Sequence, residues 1–160
     1  HNTPKGIASS IAIALMSHYN FYLGRNPEVE SELIPIIGKV DQETASYLKS
    51  VSQMKEFNAE LLFGTEHKNR GVPCDGMRTV GAVSYILSTF DSPKDILIES
   101  VRLGGDTDSV ASIALGINLM NKSLEDLPKQ LYDGLTNHQF GRDYLLRLGE
   151  RLEKKYLLSK

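Results

Sequence analysis

Apolar residues return at helical spacing in one segment of this 160-residue chain after another. They do so most clearly in residues 4–24, 42–63, 77–87 and 138–158, where they recur every three or four positions. We find no persuasive strand pattern, no internal repeat and no interdomain linker. The sequence therefore predicts an all-α, compact multi-helix bundle that forms one domain over residues 1–160.

Several predicted helices begin at residue types that cap helices. Thr3 precedes Pro4, Asp41 precedes the segment 42–63, and Asp91-Ser92 precedes Pro93 at the start of a further helix. Side-chain oxygens of Thr, Asp and Ser accept hydrogen bonds from the free N–H groups of a first turn. These residues therefore predict the positions at which three helices start.

Three stretches interrupt the helical pattern. A short helix that opens at Asn26-Pro27 is expected to be interrupted at Pro35 and Gly38, because proline disrupts a helix interior. A break is expected near Asn58 within the segment 42–63. Residues 64–76 are polar and rich in turn formers, so they predict a loop, and loops of this length are often functional.

One polar motif runs directly into an apolar helical segment. Gly104-Gly105-Asp106-Thr107-Asp108-Ser109 precedes helical spacing over residues 110–120. The paired glycines allow a tight turn and leave room for a ligand to approach the main chain. The polar side chains permit two interpretations: they cap the following helix, or their oxygens bind a hard divalent cation. Two carboxylates exceed what one cap needs.

The composition limits the classes of binding partner and the cellular compartment that we expect for this chain. A formal net charge of −2, with 41% apolar and 24% charged residues, gives no basis for a nucleic-acid surface. The single cysteine, Cys74, excludes an intramolecular disulfide and favours a reducing compartment, so a cytoplasmic location is expected. As a lone cysteine it is typical of a small buried hydrophobe. The longest apolar run, residues 7–16, is too short to span a bilayer, so no membrane partner is expected.

The motif at residues 104–109, followed by Val-Ala-Ser-Ile-Ala-Leu-Gly, resembles the C-terminal signature of the ADP-ribosylglycohydrolase family, which includes the dinitrogenase-reductase-activating glycohydrolases. His1-Asn2-Thr3-Pro4 before an alanine-rich helix resembles the family's Thr-His-Pro segment. The loop that leads into residues 80–87 is similar in position to the family's substrate-facing loop. The resemblance covers nearly all of this chain but only about the second half of a family member.

That resemblance implies an all-α fold that binds two divalent cations, Mg²⁺ or Mn²⁺. The family holds them between this motif and an N-terminal Thr-Asp-Asp-Thr motif, which does not occur in the chain. Asp106 and Asp108 are implied to be metal ligands, and one of them to orient or deprotonate the attacking water. Ser109 stands where the family has Thr, and its hydroxyl is implied to be a third ligand.

The resemblance also implies a substrate-binding surface. Gly104 and Gly105 would bring the backbone close to the ribose and its metals. His1 would approach the ADP-ribose pocket from the other side, and Gly71 and Cys74 would face the ribose or the departing acceptor.

The implied reaction is hydrolysis of the glycosidic bond between ADP-ribose and a protein side chain or a small conjugate, through an oxocarbenium-like state. The implied partners are that ADP-ribosylated substrate and the N-terminal half of the same fold, from the same gene or a second chain. Because the chain begins at His1, we expect it to be a portion of a longer protein that is nearly inactive alone. The alternative is a non-catalytic relative that binds a nucleotide or assembles with another chain.

Overall fold

The computed structural model describes residues 2–123 and 126–156, and helices dominate both ranges. The nine α-helices in these ranges are α1 Pro4–Leu23, α2 Ile34–Ile37, α3 Gln42–Ser52, α4 Ala59–Phe63, α5 Gly76–Thr89, α6 Pro93–Arg102, α7 Thr107–Asn118, α8 Lys129–Asp133 and α9 Arg142–Tyr156. A π-helical turn, Val29–Leu33, precedes α2, and a 3-10 turn, Leu119–Asn121, follows α7. No β-strand forms in the described ranges, so the all-α prediction is confirmed.

Contacts group the chain into two compact units, residues 1–126 and 127–160. In the first unit, α5 packs against α1, α3, α6 and α7 and is the central helix of the core. Its buried side chains include Val80, Val83 and Ile86, which the helical spacing predicts to lie inside. The second unit contains α8 and α9. The expectation of one domain over residues 1–160 stays a prediction.

Local capping sets the predicted helix starts. Thr3 Oγ1 accepts the Gly6 N–H at 3.1 Å, and Asp41 Oδ2 accepts the Thr44 N–H at 2.8 Å. The Ser92 hydroxyl oxygen likewise accepts a backbone N–H of the first turn of α6. Each predicted cap therefore lies at the start of a helix.

Of the expected helix interruptions, the break near Asn58 is confirmed and the one at Pro35 is wrong. The segment 42–63 contains two helices, because α3 ends at Ser52 and Asn58 caps α4 by accepting the Leu61 N–H at 2.9 Å. Pro35 lies in the first turn of α2, where its missing N–H needs no partner, so it starts that helix instead of interrupting one. None of the described helices is long and apolar enough to cross a membrane.

Candidate functional site

The first turns of three helices meet on one side of the first unit. α1, α5 and α7 pack against one another, and their N-terminal residues line two pockets. The first pocket, of about 600 Å³, lies between the start of α1 and residues 74–77. The second, of about 380 Å³, lies between α1, α5 and α7. Ser9, Ser10 and Gly76 line both pockets, so the two adjoin.

The loop before α5 contacts the glycine turn before α7 through the main chain. The Val72 N–H donates to the Gly104 carbonyl at 3.1 Å, and the Asp106 N–H donates to the Val72 carbonyl at 2.8 Å. These two bonds form a single parallel bridge between residues that are far apart in the sequence. The main chain at Asp106 is therefore fixed by the loop.

Two glycines make this bridge sterically possible. Gly71 has φ 91° and Gly105 has φ 71°, both in the left-handed region that favours glycine. A Cβ atom on Gly105 would lie 2.1 Å from the Val72 carbonyl oxygen, and one on Gly71 would lie 2.2 Å from the Gly104 carbonyl carbon. Both positions thus exclude a side chain because two backbones pass there. The contacts of Gly71, Gly104 and Gly105 with a ribose stay predictions.

Asp106 occupies the position of an N-cap without acting as one. Its ψ of 59° differs from the extended backbone of Asp41 and Asp75, and its carboxylate accepts no hydrogen bond from the first turn of α7. The capping interpretation of the motif is therefore wrong for Asp106. Neither Asp106 nor Asp108 forms a side-chain hydrogen bond or an ion pair with any residue of the described ranges. Asp106 is partly buried and Asp108 is exposed, so solvent and ligands reach both.

The oxygen atoms of these side chains are of the type that binds a hard divalent cation, but they are too few to fill its coordination shell. Carboxylate and hydroxyl oxygens are the ligands that Mg²⁺ and Ca²⁺ prefer. Ser109, the third predicted ligand, is partly buried and lines the second pocket. No three His, Cys, Asp or Glu side chains of residues 2–123 and 126–156 come together as a metal-binding group. Asp106 and Asp108 would thus supply only part of the coordination shell of such a cation.

Cys74 lies on the wall of the first pocket. Its free thiol is exposed and it lines the first pocket together with Thr3. The interpretation of Cys74 as a buried hydrophobe is therefore wrong. His1, the predicted contact from the other side of the pocket, lies outside the described residues.

The charged side chains of Lys5 and Asp41, which line the first pocket, form hydrogen bonds with neighbouring residues. Lys5 Nζ donates to Glu43 Oε1 at 2.6 Å, and this hydrogen bond raises the pKa of Lys5. Asp41, on the same wall, accepts hydrogen bonds from the Thr44 hydroxyl and N–H, which lower its pKa. The pocket therefore presents fixed charges of both signs near its rim.

A comparison with protein-family models identifies the family to which this chain belongs. The family model for ADP-ribosylglycohydrolases matches residues 1–159. The chain belongs to the ADP-ribosylglycohydrolase family. A search of curated proteins and a search of solved structures each found no match. Family membership indicates a hydrolase of the glycohydrolase type and agrees with the all-α fold.

Sequence reasoning missed two residues that line both pockets. The hydroxyls of Ser9 and Ser10 donate to backbone carbonyls one turn earlier in α1, at 2.7 Å and 2.9 Å. Each keeps acceptor lone pairs for a ligand. Two adjacent serines in an otherwise apolar helix were the signal that could have identified them.

Proposed function

We propose that this chain carries one side of the catalytic site of an ADP-ribosylglycohydrolase. The enzyme hydrolyses the bond between C1 of the distal ribose of ADP-ribose and an acceptor on a protein or a small conjugate. The observation that carries this proposal is the arrangement of Asp106 and Asp108. Both carboxylates lie at the start of α7 without a partner among the described side chains, and the adjacent Ser109 lines the second pocket.

Asp106, Asp108 and Ser109 would hold two cations, Mg²⁺ or Mn²⁺. When bound, such cations orient the ribose hydroxyls and supply a water of lowered pKa. In this proposal one of the two carboxylates accepts the proton of the attacking water, as a general base. The main-chain bridge from Val72 keeps the backbone of Asp106 in place while that proton is transferred.

The proposed step is a displacement at C1. The water oxygen bonds to C1, the bond from C1 to the acceptor breaks through an oxocarbenium-like transition state, and the acceptor leaves with the proton that the carboxylate took from the water. Cys74 and Gly71 belong to the loop that faces the ribose or the acceptor. The pocket beside Cys74, of about 600 Å³, is in the size range of ligand pockets, roughly 300–1,000 Å³.

The N-terminal half of the same fold would complete the site. Two carboxylates and one hydroxyl are fewer than the about six oxygen ligands that one Mg²⁺ takes. A Thr-Asp-Asp-Thr segment, from the same gene or a second chain, would supply further oxygens. We accordingly expect the 160-residue chain alone to be nearly inactive, and we place the full enzyme in the cytoplasm.

Hydrolysis by the full-length protein tests this proposal. ADP-ribosyl-arginine and ADP-ribosyl-serine are incubated with Mg²⁺ or Mn²⁺, and released ADP-ribose is measured by chromatography. We expect cation-dependent release that Asp106→Asn reduces by about 100-fold or more, in the range of acid–base contributions. Asp95→Asn is the matched control, because Asp95 is an exposed carboxylate in the first turn of α6. No release from either substrate would contradict the proposal.

A non-catalytic relative that binds nucleotides is the second candidate. The chain contains no Thr-Asp-Asp-Thr motif, and this is the feature that motivates it. Calorimetry with ADP-ribose separates the two. Binding of ADP-ribose by a full-length protein that hydrolyses neither conjugate would support the second candidate.

A further inference from the structure

One residue, Arg78, fastens both ends of the loop formed by residues 64–75. At the end of the loop, the backbone N–H of Arg78 donates to Asp75 Oδ1 at 3.0 Å, as part of the N-cap of α5. At its beginning, Arg78 Nη1 donates to the Leu61 carbonyl at 2.8 Å. The backbone of Arg78 therefore contacts the last residue of the loop, and its guanidinium contacts α4 just before the loop begins.

Tyr47 keeps the Arg78 guanidinium in this position. The guanidinium carbon lies 4.7 Å from the centroid of the Tyr47 ring, within cation–π range. The Tyr47 hydroxyl donates to the Leu62 carbonyl at 2.8 Å. Leu61 and Leu62 belong to the last turn of α4, whose carbonyls have no partner within the helix. Arg78 and Tyr47 together supply those partners at the point where the loop begins.

The surrounding glycines agree with a fixed arrangement. A Cβ atom on Gly81 would lie 2.1 Å from the Tyr47 hydroxyl oxygen, so the tyrosine needs a glycine in α5. Gly64, the first loop residue, has φ 87°, and a Cβ atom there would lie 3.4 Å from Arg78 Nη2. Arg78 and Tyr47 thus fill the space between α3, α4 and α5.

From this anchor the contacts continue to the proposed site. The loop carries Val72, which receives the Asp106 N–H at 2.8 Å, and Cys74, which lines the first pocket. A displacement of the loop would move both. We propose that Arg78 is a positioning residue, which holds residues 64–75 so that Val72 fixes the backbone of Asp106. Its meaning for catalysis rests on the proposed function.

Amide hydrogen exchange on the 160-residue chain, followed by NMR, tests this role without requiring activity. In Arg78→Ala we expect the Val72 and Asp106 amides to exchange about tenfold faster, the effect of losing one hydrogen bond from a charged group. The amides of Ala12 and Val51, in α1 and α3, should keep their exchange rates. Arg102→Ala is the matched control, because Arg102 is exposed and pairs with Glu99 on its own helix; it should change neither set.

Arg78→Lys provides a second variant if Arg78→Ala does not fold. Lysine keeps the charge and one donor for the Leu61 carbonyl but loses the planar guanidinium that stacks on Tyr47. We expect faster exchange at Val72 and Asp106 by a smaller factor. Unchanged exchange at these two amides, or an equal increase across all helices, would overturn the proposal.

A manganese titration of the wild-type chain separates this inference from the proposed function. Mn²⁺ should selectively broaden the NMR signals of residues 106–109 if that function is right. Broadening together with unchanged exchange in the Arg78 variants rejects only the role of Arg78. Faster exchange without broadening, either in this chain or in the full-length protein, rejects only the cation site. In the full-length enzyme, Arg78→Lys should lower kcat by a larger factor than it raises KM, since Arg78 is proposed to act through Asp106, the proposed cation ligand and general base.

Discussion

Replacing Gly105 by alanine is the sharpest test of the bridge between the loop and the motif. The new Cβ would lie 2.1 Å from the Val72 carbonyl oxygen and 2.5 Å from the Val72 nitrogen, both of them backbone atoms. The chain can relieve this clash only by separating the two backbones, which breaks the hydrogen bonds on either side of Val72. Each such bond contributes about 0.5–1.5 kcal/mol net. The left-handed φ of 71° adds about 1–2 kcal/mol for a residue with a Cβ.

These contributions predict that Gly105→Ala lowers the free energy of unfolding by about 2–5 kcal/mol. Two other glycines provide controls within the same chain. Gly24 has φ 65° but open space around it, so Gly24→Ala should lose only about 1–2 kcal/mol. Gly116 lies in α7 with nothing near it, so Gly116→Ala should gain about 0.5–1 kcal/mol. Urea unfolding followed by circular dichroism measures all three. A loss in Gly105→Ala no larger than that in Gly24→Ala would refute the steric reasoning.

Three further predictions concern caps and titration. Because Asp41 caps α3, Asp41→Ala should lower the free energy of unfolding by about 0.5–2 kcal/mol in the absence of divalent cations. Asp106→Ala should lower it by less than about 0.5 kcal/mol, since Asp106 forms no cap. Equal losses in urea unfolding would contradict the absence of a cap at Asp106. Burial raises the pKa of Tyr47 from 10.0 to about 12, so the folded state holds this proton more tightly and its contribution is lost as the pH rises from 10 to 12. At about 1.4 kcal/mol per pKa unit, the wild type should lose up to about 3 kcal/mol relative to Tyr47→Phe over that range, and parallel stability curves would count against it. The hydrogen bond from Arg25 lowers the pKa of Glu32 from 4.5 to about 2, so its contribution is present above pH 4.5 and disappears toward pH 2; acid unfolding of Glu32→Gln, which lacks this dependence, checks the sign.

The helix starts could be predicted because capping is a local interaction. Thr3 and Asp41 bond to N–H groups three residues later, so the signal lies within four consecutive residues. The end of α3 could not be predicted in the same way. Apolar spacing continues through Met54 and Phe57, yet Phe57 packs outside any helix, with its ring 5.9 Å from the rings of Phe63 and Tyr85. Tertiary packing therefore accounts for an apolar residue that spacing alone assigns to a helix.

The candidate site likewise combines features that the local sequence predicts with features that depend on tertiary contacts. The motif and its residue types indicate oxygen ligands, and the sequence places them at a helix start. Whether Asp106 caps that helix depends on its ψ angle, and the structure fixes its backbone through Val72, more than thirty residues earlier. Long-range backbone pairing leaves no periodic signal in either segment. Likewise, the exposure of Cys74 on the wall of the first pocket leaves no signal in the sequence around it.

Manganese binding to the 160-residue chain tests the central claim most directly. The electron paramagnetic resonance signal of free Mn²⁺ is recorded as protein is added, for the wild type, Asp106→Asn, Asp108→Asn and the control Asp95→Asn. Our account predicts that the wild type and Asp95→Asn remove free Mn²⁺ from solution equally. Each of the other two variants should bind at least about tenfold more weakly, since each lacks one charged ligand. Equal Mn²⁺ binding by all four proteins would contradict the assignment of Asp106 and Asp108 as cation ligands.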